Sequence, residues 1–222
     1  MTRTIETRDP YTAGHQERVA RLAVAMAEEM GLEKDQIEGI HMAGRAHDLG
    51  KISVPAEILS KPGKLTDIEF ALIKTHANTG YNIIADIEFP WPIARMILEH
   101  HEKMNGTGYP RGLSGDEILP ESRILCVADV VEAMSSHRPY RPALGLEIAL
   151  EEISRNQGVL YDTAAVDTCL ALFNNGKFRC HHESFCNACK WEADRVTALF
   201  DSMNFSAPVS GKAIPGLFQS RS

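Results

Sequence analysis

Apolar residues return at helical spacing through almost every segment of this chain, and nowhere convincingly at the alternating spacing of a strand. Val19, Leu22, Met26 and Met30 form one stripe, which Gly31 closes, and Ile37, Ile40 and Gly44 form a second that runs into His47. Thr66 and Glu69 read as a capping box opening a third helix, whose stripe is predicted to run Ile68, Leu72, His76, Ile83, Ile87. Pro92 suits a helix first turn, with Ile93, Ile97 and His101 on one face. Residues 121–134 are apolar on most sides, which predicts a central helix; 146–153 and 164–173 predict two more. Segments 53–64 and 105–115 carry the proline and glycine of loops. With no internal repeat, the pattern predicts an all-α bundle.

A chain of 222 residues has room for one domain and an appendage. Asn174-Asn175-Gly176 is a break, so the main domain is placed at residues 1–174. The C-terminal appendage, 175–222, is expected to hold a Cys/His cluster, one short amphipathic helix (Val196, Leu199, Phe200, Met203) and a mobile tail rich in Pro, Gly and Ser. The net charge of -7 provides no positive field to collect a nucleic-acid polymer, although a small anion could still be held by a few local cations. No apolar run has transmembrane length, and the first residues carry no apolar signal region. A cytoplasmic location is the expectation. Five cysteines, three of them between Cys180 and Cys189, do not make a disulfide framework.

Histidine carries the chemistry. A lone histidine on an apolar stripe is usually a core residue with a satisfied hydrogen bond, and that reading suffices for His76 or His15 alone. Taken together the residues say more. His47, His76 and His101 each interrupt an apolar face on a separate helix, and Asp129 lies in the greasy run Leu125-Cys126-Val127-Ala128-Asp129-Val130-Val131. A carboxylate buried there must be neutral, paired or metal-bound. His47-Asp48 and His100-His101 are adjacent pairs; on a helix, neighbours point about 100° apart, so one can face one ion and the other a second. Two such pairs suit a binuclear centre, with Asp48 as the natural bridge. Two divalent ions bring about +4 of charge, and Asp48 and Asp129 offset half of it. The remainder suits one hydroxide and one phosphodiester. Lys51, one turn after His47, is a poor metal neighbour unless such an anion lies between them.

These residues match a known pattern. His47-Asp48 with Lys51 resembles the signature of the HD phosphohydrolase superfamily. The run from His100 through His101, Glu102, Lys103, Met104, Asn105, Gly106, Thr107, Gly108 and Tyr109 to Pro110 resembles the second signature of its HD-GYP subfamily. Residues 8–15, Ala128-Asp129 and Arg138-Pro139-Tyr140-Arg141 follow the same pattern, in order, over nearly all of residues 1–173. The resemblance implies an HD-domain helical bundle with a binuclear, sometimes trinuclear, metal centre in its core. It implies hydrolysis of cyclic di-GMP to linear pGpG, and in some members on to GMP, by attack of a metal-bound hydroxide on the phosphodiester. The metal ligands it implies are His15, His47, Asp48, His76, His100, His101 and Asp129, of which only His15 was not singled out by the residues themselves. The metals it implies are iron or manganese. It gives Asp48 and Lys51 catalytic roles, and assigns substrate contact to Lys51, Arg138, Arg141 and the Gly108-Tyr109-Pro110 loop. Without it, the two arginines would read as a solvated turn and the loop as a plain connection.

The sequence departs from that pattern in places. Trinuclear members carry a Glu where this chain has Tyr11, so two metals are expected. His137 stands where Asp is common, and Glu132 replaces another Asp while keeping a carboxylate able to orient a ligand from behind. Arg45 sits at a usually apolar position, either disturbing the packing or facing solvent. Members usually carry an upstream sensory or receiver domain; a free-standing or excised output domain is the expectation, with a diguanylate cyclase or receiver domain as partner. Cys180, His181, His182, Cys186 and Cys189 could supply a structural zinc site separate from the main centre, or remain a cluster of reduced thiols. Cys126 and Cys169 lie on apolar stripes and are expected in the core. Two other readings of function stand beside hydrolysis of cyclic di-GMP: hydrolysis of another cyclic dinucleotide, and a module that binds a cyclic dinucleotide or a partner protein with little or no catalysis.

Overall fold

The computed structural model describes residues 14–136 and 143–178. All of them belong to one compact unit, Met1–Phe185, and a second unit, Cys186–Ser222, lies outside the described residues. So do Tyr11, His137, Arg138, Arg141, the Cys180–Cys189 cluster and all of the expected appendage beyond Phe178.

The described residues form nine α-helices and two short 3-10 helices, with isolated bridges in place of strands. The helices are α1 (His15–Glu29), α2 (Lys34–Ala46), α3 (Ala56–Leu59), α4 (Asp67–Lys74), α5 (His76–Ile84), α6 (Ile93–Glu99), α7 (Pro120–Ser135), α8 (Leu146–Arg155) and α9 (Thr163–Asn174). The all-α expectation holds. None of these helices is long and apolar enough to cross a membrane.

Helix α7 is the hub. It packs against α1, α2, α6, α8 and α9. Burial of Ile124, Leu125, Val127, Ala128 and Val131, each at most 1% exposed, follows from its all-round apolarity. Antiparallel to each other, α1 and α2 meet where Gly44 lies against Ala20, so close that a β-carbon on Gly44 would sit 2.8 Å from the Ala20 Cα. Cys126 and Cys169 are buried in the core, as expected. Arg45 faces solvent and pairs with Glu17 at 3.3 Å.

The third helix departs from its prediction. The Thr66–Glu69 capping box opens α4 as expected. The chain then breaks at Thr75, and α5 starts afresh at His76. Ile68, Leu72, Ile83 and Ile87, predicted as a core stripe, are exposed, Ile68 at 83%. The buried face of α5 is instead His76, Ala77, Gly80 and Ile84. Small residues let it press against the 3-10 helix Leu49–Ser53: a β-carbon on Gly50 would lie 1.9 Å from the His76 carbonyl oxygen. Close approach of backbones, not a hydrophobic stripe, decides which side of α5 turns inward.

Candidate metal centre

Three helices end at the same place. His47 caps the C-terminus of α2, His76 follows the end of α4, and His100 caps α6. The last carbonyls of a helix have no amide partner within it, and each of these imidazoles supplies one. Nδ1 of His47 lies 2.7 Å from the Gly44 carbonyl, Nδ1 of His76 2.8 Å from that of Ile73, and Nδ1 of His100 2.6 Å from that of Ile97. A carbonyl oxygen can only accept, so Nδ1 carries the proton and donates. In the neutral ring the lone pair is then on Nε2, turned to the interior. The C-termini of α2, α4 and α6 meet here with the N-termini of α1 and α5, so helix dipoles of both signs face the cluster.

His47 and Asp48 were expected as neighbours on one helix. The structure places them instead at the turn from α2 into the 3-10 helix. They still project to different neighbours. Asp48 Oδ2 is 3.5 Å from Nε2 of His47 and 3.7 Å from Nε2 of His15, while Oδ1 is 3.6 Å from Nε2 of His76. The Lys51 ammonium is 2.7 Å from Asp48 Oδ2. His15 opens α1, its Nε2 3.2 Å from Asp129 Oδ1. Its Nδ1 meets the Glu132 carboxylate, which also accepts from Arg18 and Ser136, both at 2.6 Å. His101, one residue past the cap of α6, lies 4.0 Å from Asp129. It is a stacking partner of Tyr109, with ring centroids 4.7 Å apart.

Ligand-competent atoms therefore gather in three overlapping groups: His15, His47 and Asp129; His47, Asp48 and His100; His76, His100 and His101. Every residue of the expected ligand set is here. The side chains of His15, His47, Asp48 and His76 are at most 2% exposed. Burial raises the Asp48 carboxyl, but the Lys51 ammonium and the neighbouring imidazoles prevail and hold it well below the usual carboxylate range. Asp129 is likewise held low against burial, through His15, His47 and His101. Burial presses the imidazoles down, His76 to about 4, His100 to about 3, and His101 well below its ordinary value. Neutral rings and ionised carboxylates are the forms that bind metal.

The donor set fits divalent cations on two further observations. Nε2 of His47 is buried with no hydrogen-bond partner, a costly state for a polar atom unless something else meets it. Nε2 of His76 and Nε2 of His100 face each other at 3.2 Å, and two lone pairs at that separation call for a cation.

The loop from 105 to 115 is fastened beside this cluster. The Glu102 carboxylate accepts from the backbone amides of Arg111 at 2.7 Å and Leu113 at 3.0 Å. Gly108 passes so close to Glu102 that a β-carbon would lie 2.4 Å from the Glu102 Cα. This lets Tyr109 reach His101, with Pro110 following it. Sequence reasoning named the loop but missed Glu102 as its anchor; a charged residue inside a buried histidine motif was the available signal. It also missed Arg18 and Ser136 behind Glu132; Ser136, one turn further on, was within reach of helix spacing, whereas Arg18 is remote in sequence.

A helical bundle that brings histidines and aspartates from several helices into one buried cluster defines a class of metal-centred domain. The model of the HD domain family matches residues 1–165, and the chain belongs to that family. It is 40% identical over 172 residues to the cyclic di-GMP phosphodiesterase response regulator RpfG of Xanthomonas campestris, covering 77% of this chain and 46% of that protein. It is also 40% identical over 152 residues to the 3'3'-cGAMP-specific phosphodiesterase 3 of Vibrio cholerae, covering 68% of this chain and 33% of that one. The chain thus spans less than half the length of either curated relative. Among solved structures, the HDG"Y"P protein Bd1817 of Bdellovibrio bacteriovorus superposes with a TM-score of 0.61 at 18% identity, over 72% of this chain and 51% of that one. At that identity the likeness is one of fold.

Proposed function

We propose that this domain is a metal-dependent phosphodiesterase that hydrolyses cyclic di-GMP to linear pGpG in the cytoplasm. One observation carries the reading: seven metal-competent side chains from five separate stretches of chain converge in a buried cluster, where Nε2 of His47 has no hydrogen-bond partner and Nε2 of His76 and of His100 face each other. Similarity to curated cyclic dinucleotide phosphodiesterases supports the substrate class. A module that only binds nucleotide has no need of such a set.

Two divalent cations, iron or manganese, would be held by His15, His47 and Asp129 on one side and by His76, His100 and His101 on the other, with Asp48 between. Such cations supply Lewis acidity toward a phosphodiester oxygen and lower the pKa of water. The chain's own residues do the rest. Asp48 presents one oxygen toward each side. Lys51, beside Asp48, offsets the negative charge that gathers on the phosphoryl oxygens as the phosphorus–oxygen bond breaks. Tyr109, stacked on His101 and carried by Gly108 and Pro110, forms a wall for the nucleotide. Arg138 and Arg141 are assigned to phosphate contact, where guanidinium forks suit a phosphodiester. A diguanylate cyclase or a receiver domain is the kind of partner such a domain would serve.

The test is turnover of cyclic di-GMP by the metal-loaded chain beside the variant carrying His47→Ala and Asp48→Ala. The variant is expected to show no turnover above background, and undiminished hydrolysis would overturn the proposal. The Vibrio relative's specificity makes 3'3'-cGAMP the second substrate to assay in parallel. Faster turnover of that compound would reassign the substrate and keep the chemistry.

A further inference from the structure

We propose that Lys74 is a phosphate-binding residue of this site, receiving the phosphodiester group of the cyclic dinucleotide that is not being cleaved. The inference rests on the substrate class proposed above.

Lys74 is the last residue of α4, two positions before His76. Its contact with Tyr109, the stacking partner of His101, places this side chain at the edge of the cluster. Its ammonium lies over two rings, 4.6 Å from the centroid of Phe70 and 5.3 Å from that of Tyr109. Tyr109 in turn stacks on His101 at 4.7 Å. The 5.3 and 4.7 Å spacings together place the ammonium no more than 10.0 Å from the His101 ring.

Four other lysines of the described residues are committed elsewhere. Lys51 pairs with Asp48, Lys61 with Glu69 and Lys177 with Glu29, while Lys103 reaches Cys126 and the Tyr161 ring. Lys74 has no carboxylate partner among the described residues. Ring faces attract an ammonium but cannot accept all three of its N–H donors, so donors remain for an oxygen-rich ligand.

The substrate class supplies one. A cyclic dinucleotide carries two phosphodiester groups on a single macrocycle. With the scissile group against the cluster and Lys51, the other is carried outward toward the rim. A lysine there offers a compact point charge without imposing the geometry of a fork. The aromatic pair beneath it holds the charge in place before the ligand arrives.

The experiment compares the unaltered metal-loaded chain with Lys74→Gln, Lys74→Arg and Lys34→Gln. Lys34 begins α2, at the opposite end from His47, and controls for loss of one surface charge. Each protein is assayed with cyclic di-GMP and with bis(4-nitrophenyl) phosphate, which has a single phosphodiester. The expected result for Lys74→Gln is a fall of about tenfold in the ratio of kcat/KM for cyclic di-GMP to kcat/KM for the small diester, carried by KM, as for loss of one charged hydrogen bond. Lys74→Arg should restore most of it, and Lys34→Gln should leave the ratio unchanged. Equal losses on both substrates, or an unchanged ratio, would overturn the assignment. Equilibrium binding of cyclic di-GMP to the same proteins provides a readout independent of turnover, with Kd expected to rise about tenfold in Lys74→Gln. An inactive unaltered chain would count against the proposed function, and the binding arm would still decide for or against Lys74.

Discussion

His15 differs from the other buried imidazoles in what holds its Nδ1. His47, His76 and His100 donate to backbone carbonyls of the preceding turn, whereas His15 meets the Glu132 side chain. That carboxylate is shared with Arg18 and Ser136, so its position is set from three directions. Partners behind a ligand typically change metal affinity by about 10–100-fold. Glu132→Gln keeps an acceptor for Nδ1 but removes the charge. It is expected to weaken one of two cation-binding events by that order and to spare the other. Titration calorimetry of the chelator-stripped protein would read both; unchanged affinity at both would remove Glu132 from this role. The carboxylate at position 132 was legible in the sequence as an orienting group. Its partner Arg18 was not, because it lies more than a hundred residues away along the chain.

At the scale of helices, the largest difference between expectation and structure lies in α4 and α5. Four isoleucine and leucine side chains at plausible spacing suggested one continuous amphipathic helix. The chain instead forms two helices that meet at Thr75, and all four side chains are exposed. Hydropathy could not show this, because the inward face of α5 is built from His76, Ala77 and Gly80, whose value lies in their smallness and in the contact with Gly50. A pair of substitutions separates the two arrangements. Ile68→Gln is expected to change unfolding free energy by no more than about 0.5 kcal/mol, as at an ordinary surface position. Ile84→Ala, at a side chain 5% exposed, is expected to cost about 2–4 kcal/mol. Urea denaturation measures both, and a large loss at Ile68 would contradict the fold. Other elements were plain from sequence for stated reasons. The Thr66–Glu69 box is a local hydrogen-bonding device, and the continuous apolarity of α7 leaves it no surface to occupy.

At the scale of the whole molecule, the cluster couples folding to acidity and to metal. In the unfolded chain, His76 and His100 return to the ordinary imidazole value near 6.5; in the folded protein burial presses them to about 4 and about 3. Between those values the unfolded chain binds more protons. For the metal-stripped protein, stability is therefore complete above about pH 6.5 and is lost as pH falls toward 4 and 3, with a slope on the order of 2 kcal/mol per pH unit near pH 5. Denaturation of stripped protein at pH 7.5 and pH 5 should show the lower value at pH 5, and a flat profile would contradict the buried neutral rings. Cations taken up only by the folded state add stability by mass action, so stripping them should lower Tm at any given pH.

The three carbonyl-held imidazoles have a consequence for how such a domain can vary. Aim at the centre is encoded in where α2, α4 and α6 stop, through oxygen atoms that every amino acid possesses. The exterior could be rewritten residue by residue, by drift or by a designer, without retraining those three rings. A one-residue insertion or deletion in the last turn of any of the three helices would swing its ring away. The centre is indifferent to spelling and sensitive to length.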